Sequence, residues 1–263
     1  MKTKSLAAAL AFSVIASSTY ASDAQKEDGS KDEHDHNYLQ VMGGFVGSSS
    51  ASLNANLGNG VQVPGNVQYD AGSAFSVVFG RQFYRERERD ESKRKPGQSS
   101  HELSPWRLEL EWWNASAKRR EITLAARTLN PGDRVRPKVL FLNVALPIAE
   151  SDERVKIKDN EKPRELGDEP LWRWWLGAGV GLARTRYPGT TAVSGCDCLR
   201  ATSDTGLAFQ LKLIGERRVA QDIYLFGQLG AVRLPKTEVT TVPGTSFGTR
   251  GVGQVLIGLR FAF

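Results

Sequence analysis

The chain has 263 residues, 24% of them charged, a formal net charge of +6 and two cysteines. That length holds one large domain or two modest ones, and the cysteine count excludes a disulfide scaffold. Acids interleave with bases in "YRERERDESKRK" and "SDERVKIKDNEKPRELGDE", so the basic excess reads as solvated segments and excludes a phosphate-binding stripe for nucleic acid.

The N-terminus reads as an export signal. Lys2 and Lys4 precede a short apolar run from Ser5 to Ala16, and Thr19-Tyr20-Ala21 fits a cleavage site. A signal peptide over residues 1–21 follows from this tripartite pattern. Residues 22–36, "SDAQKEDGSKDEHDH", are polar and predict a flexible lead-in. His34 and His36 alternate there with Asp32, Glu33 and Asp35. They read as a solvated tail rather than a metal site, because nothing fixes the ligands in place.

Beyond residue 21 no apolar run is long enough for a membrane-spanning helix. The mean hydropathy of -0.37 would class the chain as soluble. Transmembrane strands alternate apolar and polar residues and average out on such a scale, so hydropathy does not decide the question.

Eight segments with a period of two follow in order. They are 37–47, 72–84, 105–114, 136–148, 171–187, 205–216, 221–234 and the terminal "GVGQVLIGLRFAF". In the third, Trp106, Leu108, Leu110 and Trp112 alternate with Arg107, Glu109, Glu111 and Trp113. In the fifth, Trp174, Leu176, Ala178, Val180 and Leu182 oppose Trp175, Gly177, Gly179, Gly181 and Ala183. The faces of the seventh do not separate. An all-β fold is predicted.

The composition of the two faces selects a membrane barrel over a soluble sandwich. One face is Leu, Val, Phe, Ile and Trp; the other mixes Gly and Ala with a few long charged residues. Glycine weakens a strand unless backbone or another group must come close. A narrow barrel lumen supplies that reason, because small residues leave room for long ones opposite. Arg107, Glu109, Glu111, Lys212 and Arg260 are the candidate lumen charges. A buried unpaired charge costs several kcal/mol, so a mutual network is predicted. Trp106, Trp172, Trp174 and Tyr187 fall near strand ends and are assigned to an aromatic girdle at the two membrane interfaces.

With both termini on the inner side, the outer loops are 48–71, 115–135, 188–204 and 235–248. The inner connections are 85–104, 149–170 and 217–220; the first two exceed the usual short turns. Ten strands replace eight if "REITLAART" (120–128) forms part of a further hairpin. Cys196 and Cys198 lie in the third outer loop. A local disulfide is open to them in an exported protein, although C-x-C closes a strained ring. A loop feature is favoured over a metal site, which would want four ligands.

With these features the chain resembles small Gram-negative outer-membrane β-barrel proteins, the OmpA/OmpX-like, porin-like and surface-antigen group. The resemblance rests on the signal peptide, "YLQVMGGFVG", "GAGVGLA" and the terminal "GLRFAF". It implies an antiparallel up-and-down transmembrane barrel over 37–263 in the outer membrane. It implies as partners the lipid bilayer, periplasmic chaperones and the outer-membrane insertion machinery. It also implies that Phe263, with Phe261 and Leu259 before it, is the assembly signal read by that machinery.

Three function classes are weighed. A non-enzymatic surface protein, anchored by its barrel and acting through its loops in surface interaction or envelope integrity, is the expectation. A narrow pore for small solutes or ions is the alternative. An enzyme ranks last: catalytic barrels need a positioned base near the outer rim, and His34, His36 and His101 are placed elsewhere. No cofactor and no nucleic-acid partner is expected, and the ligand of the loops is not identified by the sequence.

Overall fold

A computed structural model describes residues 35–56, 61–88, 101–125, 127–151, 172–189, 201–220, 222–239 and 244–263. Thirteen strands occur in it: β1 (His36–Ser48), β2 (Ala51–Asn56), β3 (Gln62–Tyr69), β4 (Gly72–Glu88), β5 (His101–Leu124), β6 (Arg127–Leu129), β7 (Arg134–Glu150), β8 (Trp172–Tyr187), β9 (Thr202–Ala220), β10 (Ile223–Leu234), β11 (Thr237–Glu238), β12 (Ser246–Phe247) and β13 (Arg250–Ala262). No described helix is long and apolar enough to cross a membrane.

Eight of the strands close a ring in the order β1-β4-β5-β7-β8-β9-β10-β13, every pairing antiparallel. The seam is β1 against β13, in register from Tyr38↔Ala262 to Ser48↔Val252. Closure leaves the ring without a free strand edge, which an open sheet would expose to lipid. Phe263 extends the seam by one residue. Its N–H donates to the Asn37 carbonyl at 2.9 Å, and the Asn37 N–H donates to the Phe263 carbonyl at 3.1 Å. The last residue is thereby held rather than frayed.

The period-two pattern becomes outside and inside. Leu140, Leu142, Val144, Leu146 and Ile148 of β7 face outward and are exposed. Leu176, Val180 and Leu182 of β8, Leu207, Phe209 and Leu211 of β9, and Val255, Ile257, Leu259 and Phe261 of β13 do the same. Along β7 this apolar run spans about 26 Å, or roughly 20 Å of height at the usual strand tilt, close to the band of a transmembrane barrel. The fold is a closed eight-stranded antiparallel barrel of the transmembrane type. In β10 the faces also resolve: Tyr224, Phe226, Gln228 and Val232 point inward.

Several boundaries differ from the sequence expectation. "REITLAART" does not add two strands to the ring. Residues to 124 prolong β5 beyond the barrel, where it pairs with β3 and β6. The 115–135 loop is therefore mostly strand, turning at Ala125, whose φ is 49°. β9 runs to Ala220, so 217–220 is strand, and β10 begins at Ile223. His36 begins β1 instead of ending the lead-in, and its ring lies 6.2 Å from that of Tyr84. His34, Cys196, Cys198 and the signal region fall outside the described residues.

The start of β1, the end of β13, the ends of β4, β7 and β9 and the starts of β5, β8 and β10 share one end, the terminal rim. At the other end, the loop rim, β2, β3, β6, β11, β12 and the end of β5 build a cap. It has its own apolar core of Leu53, Val67, Ile122, Val135, Tyr187, Val239 and Phe247. Gly132 and Gly244 adopt φ of 66° and 83° at its turns, a conformation that glycine reaches without a steric penalty.

Candidate functional site

The lumen is filled in two storeys. The storey nearer the terminal rim is ionic. Arg107 of β5 and Glu216 of β9 form a two-pronged pair: the Arg107 Nη2 donates to Glu216 Oε1 at 2.8 Å and to Oε2 at 2.9 Å. Arg107 Nε donates to Gln82 Oε1 at 2.9 Å, and its guanidinium lies 3.6 Å from the centre of the Trp175 ring. Trp175 Nε1 donates to Glu216 as well, at 2.8 Å. Arg260 of β13 reaches Glu216 Oε2 at 3.3 Å and stacks 3.7 Å over the Tyr224 ring.

Next to it, Lys212 Nζ bridges two carboxylates, Glu109 Oε2 at 2.5 Å and Glu111 Oε2 at 3.0 Å. Further donors reach both carboxylates, so that all four oxygens accept. Tyr38 donates its hydroxyl to Glu109 Oε1, Ser76 donates to Glu111 Oε1 and Asn143 Nδ2 donates to Glu111 Oε2, each at 2.8 Å. Three cations thus face three carboxylates, all almost wholly buried. Each carboxylate is held by at least two donors, the condition under which buried charge is tolerated.

Glycine makes the space. A Cβ at Gly80 would overlap the Tyr38 ring, and one at Gly177 would come within 2.9 Å of the Lys212 side chain. These two positions let long side chains from neighbouring strands lie across the wall.

Toward the loop rim the lumen turns apolar. Met42, Trp113, Val139, Phe141, Val232 and Leu256 pack there, and Trp113 Nε1 donates to Gln254 Oε1 at 2.7 Å. Above them lies the cap. Tyr187 and Phe247 stack at 4.2 Å with planes 2° apart, and Arg250 lies 4.5 Å over the Tyr69 ring. Burial pushes the Tyr69 phenol up from its ordinary range. Arg119 binds Asp133 and donates to the Pro188 carbonyl at 2.7 Å, tying β5 to the chain after β8.

The structure brings Arg107, Glu109, Glu111, Lys212 and Arg260 together in the lumen. It adds Glu216, the acid that balances the charges. The signal for Glu216 is present in the sequence: within the segment 205–216 it follows Lys212 and Ile214 on the same period-two face, as the segment's last residue. Trp106, Trp172 and Trp174 face outward, Trp106 stacked on Phe83 at 4.3 Å. All three lie at the terminal rim rather than at two interfaces. Tyr187 is not a girdle residue: it is 2% exposed and points into the cap core, because its parity on β8 matches Trp175 and Ala183. Phe261 and Phe263 lie outward at the terminal rim, with Phe263 6.4 Å from Phe79.

No protein-family model matches the chain, and no curated protein matches it. Among solved structures it is similar to Neisserial surface protein A (12% identity, TM-score 0.38, covering 86% of this chain and 97% of that one). It is similar to the outer membrane protease OmpT from Escherichia coli (9% identity, TM-score 0.41, 90% and 99% covered). A third similar structure is Ail, the attachment invasion locus protein of Yersinia pestis (10% identity, TM-score 0.23, 86% and 99% covered).

Proposed function

We propose that the chain is a non-enzymatic protein of the Gram-negative outer membrane, which anchors a folded cap for surface interaction or envelope integrity. The observation that carries this reading is the separate apolar core of the cap on one rim of a filled barrel. A filled barrel serves as a support, and function then falls to what it supports. The engagement of all three lumen carboxylates supports the non-enzymatic part, since a general base needs a free acceptor aimed at a substrate. Partners under this reading are the bilayer, periplasmic chaperones and the insertion machinery.

A second reading, a narrow pore for small solutes or ions, has one observation in its favour. The side-chain amides of Gln40, Gln210 and Gln228 are buried in the lumen without a hydrogen-bond partner among the described residues.

The test is topological. In a Cys196→Ala/Cys198→Ala background, a cysteine replacing Val61, which is exposed in the cap, is labelled by a membrane-impermeant maleimide on intact cells. A cysteine replacing Asp222, at the terminal rim, is labelled only after the outer membrane is opened. Labelling of Asp222→Cys but not Val61→Cys on intact cells would sink the surface reading.

A further inference from the structure

The outer wall carries one concentration of charge that the lumen and the cap do not explain. Lys118 of β5, Arg134, Arg136 and Lys138 of β7, and Arg184 and Arg186 of β8 all point outward and are exposed. They sit just past the last apolar residues of the belt, Leu140 on β7 and Leu182 on β8. The register sets them face to face: Lys118↔Arg134, Arg136↔Arg186 and Lys138↔Arg184. Like charges directly opposed across an antiparallel pair are destabilising.

Neutralisation elsewhere on the exterior is local. Arg81 pairs with Asp35 and Lys236 with Glu238, and Arg217 lies 5.3 Å over the Trp172 ring. Among the described residues, none of the six patch cations has a carboxylate partner. The patch is also one-sided. At the corresponding outward positions of the other wall stand Phe45, Gly47, Ser73, Gly251 and Arg233. A general interfacial ring of basic residues would run all the way round; this one covers three adjacent strands.

The patch is about 10 Å across and 13 Å along β7 by strand spacing and rise. Ser203 and Thr205 of β9, opposite Arg186 and Arg184, flank it with hydroxyls. Directly below are the exposed side chains of Leu140, Leu142, Val180, Leu182 and Trp112. A ligand that fits is therefore anionic at one end and apolar at the other. Arginine suits phosphate because its planar fork grips two oxygens at once.

We propose that this patch on β5, β7 and β8 binds a lipid of the surrounding leaflet whose headgroup carries more than one phosphate, with its acyl chains on the apolar belt below. The choice of a lipid over a soluble polyanion follows from direction: the side chains project sideways over the belt, not upward from the cap. The proposal rests on the reading of the barrel as membrane-embedded.

The experiment uses three full-length refolded proteins: wild type, Lys138→Gln/Arg184→Gln, and the charge-matched control Arg233→Gln/Lys236→Gln. Insertion into phosphatidylcholine vesicles, scored by heat-modifiable migration on gels, comes first. Failure of the wild type to insert would overturn both the membrane reading and this proposal. Native mass spectrometry from detergent then counts adducts of bisphosphorylated lipid A, phosphatidylcholine, pyrophosphate and a heparin fragment.

The expected result is retention of lipid A by the wild type and the control, with affinity falling roughly tenfold or more in Lys138→Gln/Arg184→Gln, given the contribution of each basic residue near anionic lipid. The same variant in phosphatidylcholine is at least as heat-stable as wild type, since one opposed cation pair is gone. Equal retention of phosphatidylcholine, equal binding of pyrophosphate or heparin, or undiminished lipid A binding by the patch variant would each overturn the proposal while leaving the membrane reading intact.

Discussion

Glu216 shows what a single residue does in this lumen. It is the shared partner of Arg107 and Arg260, and it accepts from Trp175 as well. Without it two buried guanidinium groups lose the carboxylate they are ion-paired with. Breaking a buried pair from one side costs about 3–5 kcal/mol, because the survivor keeps its desolvation penalty. Glu216→Gln should therefore lower the free energy of unfolding in lipid vesicles by about that much, read as a lower denaturant midpoint. Adding Arg260→Met, which removes one of the stranded cations, should recover part of the loss. A single variant with the wild-type midpoint would show that the network contributes little. The sequence made five of the six charges legible, because each lies on a clear period-two face. Glu216 is not among the five although it closes the segment 205–216: it is that segment's last residue, beside "RR", and a period of two does not say whether a terminal charge turns into the lumen or out to solvent.

At the scale of elements, the apolar faces of β7, β8, β9 and β13 were readable because their alternation is clean. Those of β10 were not, since Gly227, Gly230 and Ala231 dilute the pattern. The cap was hidden for a different reason. β2, β11 and β12 have only 6, 2 and 2 residues, and such short strands exist through tertiary pairing, not through any periodicity of their own. β13 is the opposite case, a strand whose ending is part of its meaning. Phe263 contributes two backbone hydrogen bonds to the seam, which any residue could make, and an aromatic ring that only some residues could. Phe263→Ala keeps the first and loses the second. If the ring is an assembly signal, the variant should refold in detergent to the wild-type heat-modifiable form, yet reach the outer membrane of cells at a level several-fold lower. Equal levels in cells would remove the signal role; failure to refold in detergent would make the ring structural instead.

For the whole molecule, the decisive property is that the lumen is filled by two chemically different storeys in series. The ionic storey of Arg107, Glu109, Glu111, Lys212, Glu216 and Arg260 is followed by the apolar storey around Trp113, Phe141 and Leu256. Eight strands enclose an interior that side chains can just fill, and the alternation of faces already implied such an interior. Its division into storeys was not legible, because it depends on which strands face each other across the barrel. The division bears directly on conduction. An ion leaving the charged storey would have to enter an apolar constriction, which holds no compensating charge and raises a desolvation barrier. Refolded protein in planar bilayers should therefore show no reproducible unitary current. Glu109→Gln/Glu111→Gln/Lys212→Met, which discharges only the ionic storey, should stay silent as well, since the apolar storey is untouched. Unitary steps in the wild type whose size changes in that triple variant would mean that ions do pass the charged side chains. The amides of Gln40, Gln210 and Gln228 would then be the path they follow, and the pore reading would replace that of a filled support for the cap.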